Sequence, residues 1–241
     1  MTVEPIAYAH EDITFAGTLV YQTGAERRPA VLMAPNWMGV TDKAIARAQL
    51  LAAERYVVFV ADMYGAGTRP ADFGEAAELA NPLRVNAPEQ RRRIRAAYDA
   101  LIREAGERRL IDHRRAAIGF CFGGGNVLEL ARDGTDLAAV VSIHGDLKTA
   151  APAPTGAVKA AVLAIHGVPD PVAPKADRDA FENEMDAAGA KWQMLVFGGV
   201  LHAYTDEGAD VPGIAAYDEP ATRQTYALTH AFIADAFAGR L

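Results

Sequence analysis

Six short apolar runs constrain this chain more than any other feature of its sequence. They are "AVLMAP" from 30, "YVVFVAD" from 56, "AAIGF" from 116, "AAVVSIHG" from 138, "AAVLAIHG" from 160 and "WQMLVFGG" from 192. Continuous apolar runs of this length, mostly closed by glycine, proline or aspartate, suit strands covered on both faces. Helical spacing fills the gaps: Leu50 and Leu51, then Ile94, Tyr98, Leu101 and Ile102, then Phe181 and Met185, and finally Leu228, Phe232 and Ala236. Strands alternating with helices predict an α/β fold, a mostly parallel central sheet with helices on both faces.

Two stretches depart from that rhythm. "DITFAGTLVYQ" alternates apolar with polar residues and predicts an added antiparallel edge strand or hairpin. Residues 64–89 are dense in glycine, proline and alanine, and are expected to form a loop with short helices over a site. Residues 149–160 are expected to be a loop between strands. With 241 residues, 51% of them hydrophobic, and no long polar tract, the chain is expected to be one domain over residues 1–241.

A formal net charge of −7 is the wrong sign for a nucleic-acid partner or an anionic membrane surface. The basic cluster Arg91-Arg92-Arg93-Ile94-Arg95 has Glu89, Glu104 and Glu107 nearby and is expected to be a solvated helix face. No apolar run approaches a membrane span, and the start has no signal-peptide pattern, so a cytoplasmic location is the expectation. The oligomeric state is not legible.

Sheets of this kind bind ligands at the carboxyl ends of their strands. The single cysteine, Cys121, stands at such an end, in Gly119-x-Cys121-x-Gly123-Gly124, just before the helical "FGGGNVLELARD". A turn from strand straight into helix strains its apex residue and leaves room only for glycines beside it. The apex side chain then sits at a helix N-terminus, where a thiolate is stabilised. A packing cysteine would not need those glycines. The only serine, Ser142, has no glycine two residues before it, so serine catalysis is nearly excluded.

A thiol nucleophile wants a base and an acid to orient that base. Of six histidines, His10, His113 and His230 read as structural or exposed, His113 as preceding a strand. His202, on a glycine-flanked loop before the last helix, is favoured over His144 and His166, which end strands. Asp170 in a proline-bounded turn is favoured as the acid over Asp146. The order Cys121, Asp170, His202 is the nucleophile, acid, base order of α/β-hydrolases.

In "GFCFGG", "HGVPDPVAP", "GGVLHAYT", "APNWMGV" and the terminal "YDEPATRQTYALTHAFIADAF", the chain resembles the dienelactone hydrolase family, over nearly its whole length. The resemblance implies an α/β-hydrolase fold and a cysteine-dependent hydrolase of small esters or enol-lactones, with no metal and no cofactor. By position it implies backbone N–H groups of Trp37 and Phe122 as the oxyanion hole. Two positions depart from the family pattern. Asn36 stands where members that open dienelactones carry a glutamate that helps deprotonate the cysteine. Asp206 stands where they carry an arginine that grips the substrate carboxylate, and Arg84 and Arg91 are the cations able to compensate. Asn36 and Tyr204 are expected to contact substrate, with Trp37, Met38, Tyr64 and Phe122 lining an apolar pocket. A non-catalytic small-molecule-binding homologue, and an acyltransferase or thioesterase, are the alternative functions.

Overall fold

The structure is a computed structural model that describes residues 1–24, 26–54 and 56–241. The chain opens with β1 (Thr2–His10) and β2 (Ile13–Tyr21), an antiparallel hairpin in register from Thr2 opposite Tyr21 to His10 opposite Ile13. Its turn uses Glu11 at φ +50°. The stretch expected to be an edge strand or hairpin is one unbroken antiparallel strand, β2, and its hairpin partner is β1, which takes the edge of the sheet.

The six apolar runs form β3 (Arg28–Ala34), β4 (Val57–Val60), β5 (Ile111–Phe120), β6 (Ala139–Ile143), β7 (Ala161–Gly167) and β8 (Trp192–Phe197). The sheet order is β1-β2-β4-β3-β5-β6-β7-β8, antiparallel from β1 to β4 and parallel beyond. β5 begins five residues before its apolar run, so His113 lies inside this strand rather than ahead of it. That polar extension pairs Ile111 with Arg28 across a register shift.

Among the described residues, five helices connect the parallel strands and a sixth follows them: α1 (Asp42–Glu54), α2 (Phe73–Arg84), α3 (Ala87–Glu107), α4 (Phe122–Arg132), α5 (Lys175–Ala188) and α6 (Glu219–Phe237). Because strand side chains alternate between faces, β3 sends Leu32 and Ala34 into one core and Val31 and Met33 into the other. The first core is covered by α3, α4 and α5 through Ile94, Leu101, Leu128 and Phe181. The second is covered by α1 and α6 through Ala48, Leu51, Phe232 and Ile233. Two-sided cover is why the inner strands β3 to β7 read as unbroken apolar runs.

The basic cluster on α3 is less solvated than its composition implies. Arg91 reaches inward to Glu129, which is almost wholly buried, and Arg93 pairs with Glu89 while donating to the Met63 carbonyl. Buried Glu129 would be an unpaired charge without Arg91 and Arg132, and this draws the arginines in. Among the described residues, no helix is long and apolar enough to cross a membrane.

Candidate active site

β5 ends at Phe120 and α4 begins at Phe122, so a single residue, Cys121, makes the turn. Its backbone takes φ +53°, ψ −122°, a region that costs energy for any side-chain-bearing residue. The glycines around it have specific neighbours. A Cβ on Gly119 would lie 2.0 Å from the Gly123 carbonyl oxygen, and one on Gly123 would lie 2.1 Å from that of Ala34. A Cβ on Gly124 would meet Gly145 Cα and the Ser142 hydroxyl at 2.6 Å. The glycines thus let α4 start against the backbone of β3, of the loop after it and of Gly145 just past β6. Ser142 lies fully buried beneath this turn, away from any opening.

His202 Nε2 lies 3.2 Å from Cys121 Sγ, and His202 Nδ1 lies 2.9 Å from Asp170 Oδ2. Asp170 Oδ1 accepts the Val172 N–H at 2.8 Å, so both carboxylate oxygens are engaged. All three residues are buried, Cys121 at 7% exposure, Asp170 at 1% and His202 at 6%. The structure therefore brings these three expected residues into one hydrogen-bonded line at the carboxyl ends of β5, β7 and β8. The His202 backbone is fixed by bonds to Ile214 and Ala216, either side of its bridge to Ala215. These belong to the small ribbon of β9 (Asp210–Val211) and β10 (Ala215–Ala216).

Burial disfavours a charged imidazole at His202, but the facing Cys121 sulfur and the Asp170 carboxylate outweigh it and push its pKa up to about 10. Burial opposes ionisation of Asp170 too, yet His202 and the Val172 N–H hold its pKa below the usual carboxylate value. The other two strand-end histidines behave differently. Burial above all lowers His144 well below its ordinary value and His166 to about 4. His144 bonds Thr205 Oγ1 at 2.8 Å and meets the His202 ring edge-on, whereas neither His166 nitrogen has a partner among the described residues. Asp146, the other candidate acid, pairs with Arg84 at 2.7 Å.

A cavity of about 330 Å³ opens on Cys121 and His202. Its apolar walls include Trp37, Met38, Phe73, Val172, Val211 and Ile214. Phe73 and Arg84 come from opposite ends of α2, a twelve-residue helix within residues 64–89. Tyr204 is a correction to the expected pocket: it is fully buried in the second core, its hydroxyl bonded to Thr225 and its ring against His144 and Phe197. At the carboxyl end of the sheet, its side chain takes the inward alternative. Tyr64 and Phe122 stack on each other at 5.9 Å and support the wall from behind. Arg91 is drawn off to Glu129, which leaves Arg84 as the arginine among the cavity's lining residues. The β9–β10 wall was missed, although Val211-Pro212-Gly213-Ile214 is a readable turn, with Gly213 at φ +72° and the Ile214 N–H bonded to Val211.

The loop after β3 carries Asn36 and Trp37. Neither the Trp37 nor the Phe122 backbone N–H donates to an acceptor among the described residues. The two departures from the family pattern touch: Asn36 Nδ2 donates to Asp206 Oδ2 at 3.1 Å.

Strand order, the antiparallel hairpin at one edge and the glycine-packed turn after β5 define the α/β-hydrolase fold. The sequence matches the dienelactone hydrolase family over residues 15–237, and the chain belongs to that family. It is similar to a solved protein named m3DLH, with 31% identity, a TM-score of 0.90 and 98% of each chain covered. A dienelactone hydrolase-like promiscuous phosphotriesterase from metagenomic libraries shows 30% identity, a TM-score of 0.89 and the same coverage. A dienelactone hydrolase from Anabaena variabilis, at 20% identity with 96% and 97% covered and a TM-score of 0.68, shares the fold. Among curated proteins, none matches the sequence.

Proposed function

We propose that the protein hydrolyses small, neutral carboxylic esters or enol-lactones through an acyl-enzyme on Cys121. The observation that carries this reading is the line from Sγ through the imidazole to the Asp170 carboxylate, at 3.2 and 2.9 Å, beside an open cavity. His202 takes the thiol proton, and the sulfur attacks the carbonyl carbon. The negative oxygen that develops is received by the backbone N–H groups of Phe122 and Trp37. Collapse breaks the ester bond, and the departing alkoxide takes the proton back from His202. Water, deprotonated by the same imidazole, then attacks the thioester and releases the acid. Asp170 holds the ring in the tautomer that keeps Nε2 free for these transfers.

The charges at the cavity favour a neutral substrate. Arg84 is paired with Asp146, and Asp206 with Asn36 and Arg47, so neither presents an uncompensated charge. Apolar walls at the mouth, Phe73 and Ile214 among them, favour an alkyl or aryl group on the substrate. The same features, with the resemblance to a promiscuous phosphotriesterase, favour neutral phosphotriesters as a second substrate class.

Hydrolysis of p-nitrophenyl acetate by wild type and Cys121→Ala tests the mechanism. The variant is expected to lose about a thousandfold or more in kcat, and an acyl adduct is expected on Cys121 in quenched wild-type samples. Equal rates would remove the thiol from the chemistry. An adduct that transfers to added alcohol or thiol faster than to water would instead favour an acyltransferase.

A further inference from the structure

We infer that Asp206 is a positioning residue for the loop that bears the Trp37 N–H, acting through the side chain of Asn36. This rests on the hydrolase reading above, in which that N–H receives the developing oxyanion. The Asn36 side chain is held at both ends. Its Oδ1 accepts the Met38 N–H at 3.1 Å, closing a turn around Trp37, while its Nδ2 donates to Asp206 Oδ2 at 3.1 Å. The Asn36 carbonyl takes the Gly39 N–H at 2.9 Å, and the Trp37 carbonyl takes the Tyr64 hydroxyl at 2.8 Å. These bonds brace the turn around Trp37, whose own N–H donates to no acceptor among the described residues and so is open to a ligand.

Only one orientation of the amide satisfies both contacts. Rotated by half a turn, Asn36 would set its NH₂ against the Met38 N–H and its carbonyl oxygen against a carboxylate. Asp206 therefore fixes which way the amide faces, and the amide fixes the turn. Asp206 is itself braced from α1: Arg47 lies 3.6 Å from its Oδ1, donates to the Thr205 carbonyl at 2.9 Å, and stacks over the Phe120 ring. The Asp206 N–H bonds the Ala203 carbonyl, so the anchor belongs to the same loop as His202. Packing does not do this work. Behind the Asn36–Asp206 bond lies a second cavity of about 460 Å³, reaching Thr41, Lys43 and Arg47, and the two residues line both spaces. With open volume on each side, the hydrogen bond sets the register between the oxyanion loop and the loop of the base.

The test compares wild type, Asp206→Ala and Asp206→Asn on p-nitrophenyl acetate and on its thiono analogue, whose sulfur accepts hydrogen bonds poorly. Asp206→Ala is expected to lower kcat on the oxygen ester by about tenfold or more, with KM within about twofold, because the lost interaction acts on the oxyanion. The thiono ester should fall far less. Amide exchange across residues 35–39 should speed up, while iodoacetamide alkylates Cys121 at the wild-type rate. Asp206→Asn keeps an acceptor for Asn36 and should stay within about threefold of wild type on all readouts. Unchanged kcat in Asp206→Ala, or an equal loss on both esters, would overturn the inference while leaving the hydrolase reading intact. A wild type that turns over neither ester would overturn that reading, and the inference with it.

Discussion

At the scale of single residues, the site is built by omission of side chains. Cys121 holds a strained backbone because Gly119, Gly123 and Gly124 let three backbone segments close around it. Gly123 tests this against two separate carbonyls, since an added methyl would meet the oxygens of Ala34 at 2.1 Å and Pro35 at 2.3 Å, which are backbone and cannot rotate away. Gly123→Ala is expected to destabilise the fold by about 1–3 kcal/mol, read from urea unfolding, and to lower kcat by moving Phe122 relative to Trp37. A variant with wild-type stability and activity would mean that α4 can slide without consequence. This glycine pattern was readable in the sequence because it obeys a local steric rule. The inward turn of Tyr204 was not, because whether an aromatic at a strand end faces cavity or core depends on neighbours such as Thr225 and Phe197, distant in the chain.

At the scale of elements, the strands were legible and the cover was less so. Unbroken apolar runs mark β3 through β7 because burial on both faces leaves no room for alternation, whereas β8 at the sheet edge is only partly covered. β1 is not legible in the sequence: its exposed Val3 and half-solvated pattern carry little apolar signal. Residues 64–89 read as irregular because Pro82 lies inside α2, where sequence rules place helix breaks. The helix nevertheless has a strong start: Asp72 accepts the Glu75 N–H at 3.0 Å, and Glu75 reaches back to the Ala71 N–H at 2.8 Å. Asp72→Ala should therefore cost about 1 kcal/mol of local stability, seen as faster amide exchange confined to residues 73–84. KM for apolar esters should rise with little change in kcat, since α2 supplies Phe73 and Arg84 to the cavity wall but not to the reacting atoms. A fall in kcat at constant KM would place α2 in the chemistry instead.

For the molecule as a whole, the arrangement that aligns the site also sets its response to acid. His166 ends β7 fully buried, with no partner for either nitrogen among the described residues, and its pKa is lowered to about 4. Burial is the main cause, the charges of His202 and Arg178 add to it, and Asp170 opposes it. The unfolded chain takes up a proton on this side chain near pH 6.5, whereas the folded chain resists until about 4. Between those values the unfolded state binds more protons, so stability rises with pH and is lost as pH falls from 6.5 towards 4. One such group contributes a slope of at most about 1.4 kcal/mol per pH unit. His144, lowered for the same reason, acts in the same direction. His166→Asn removes one titrating group, so urea unfolding at a series of pH values from 4 to 7 should give a shallower decline than wild type. The slope carries the test, because any change in packing shifts the whole curve without altering its dependence on protons. Parallel curves would show that His166 takes up its proton equally in both states, which its unpartnered burial at the end of β7 does not allow.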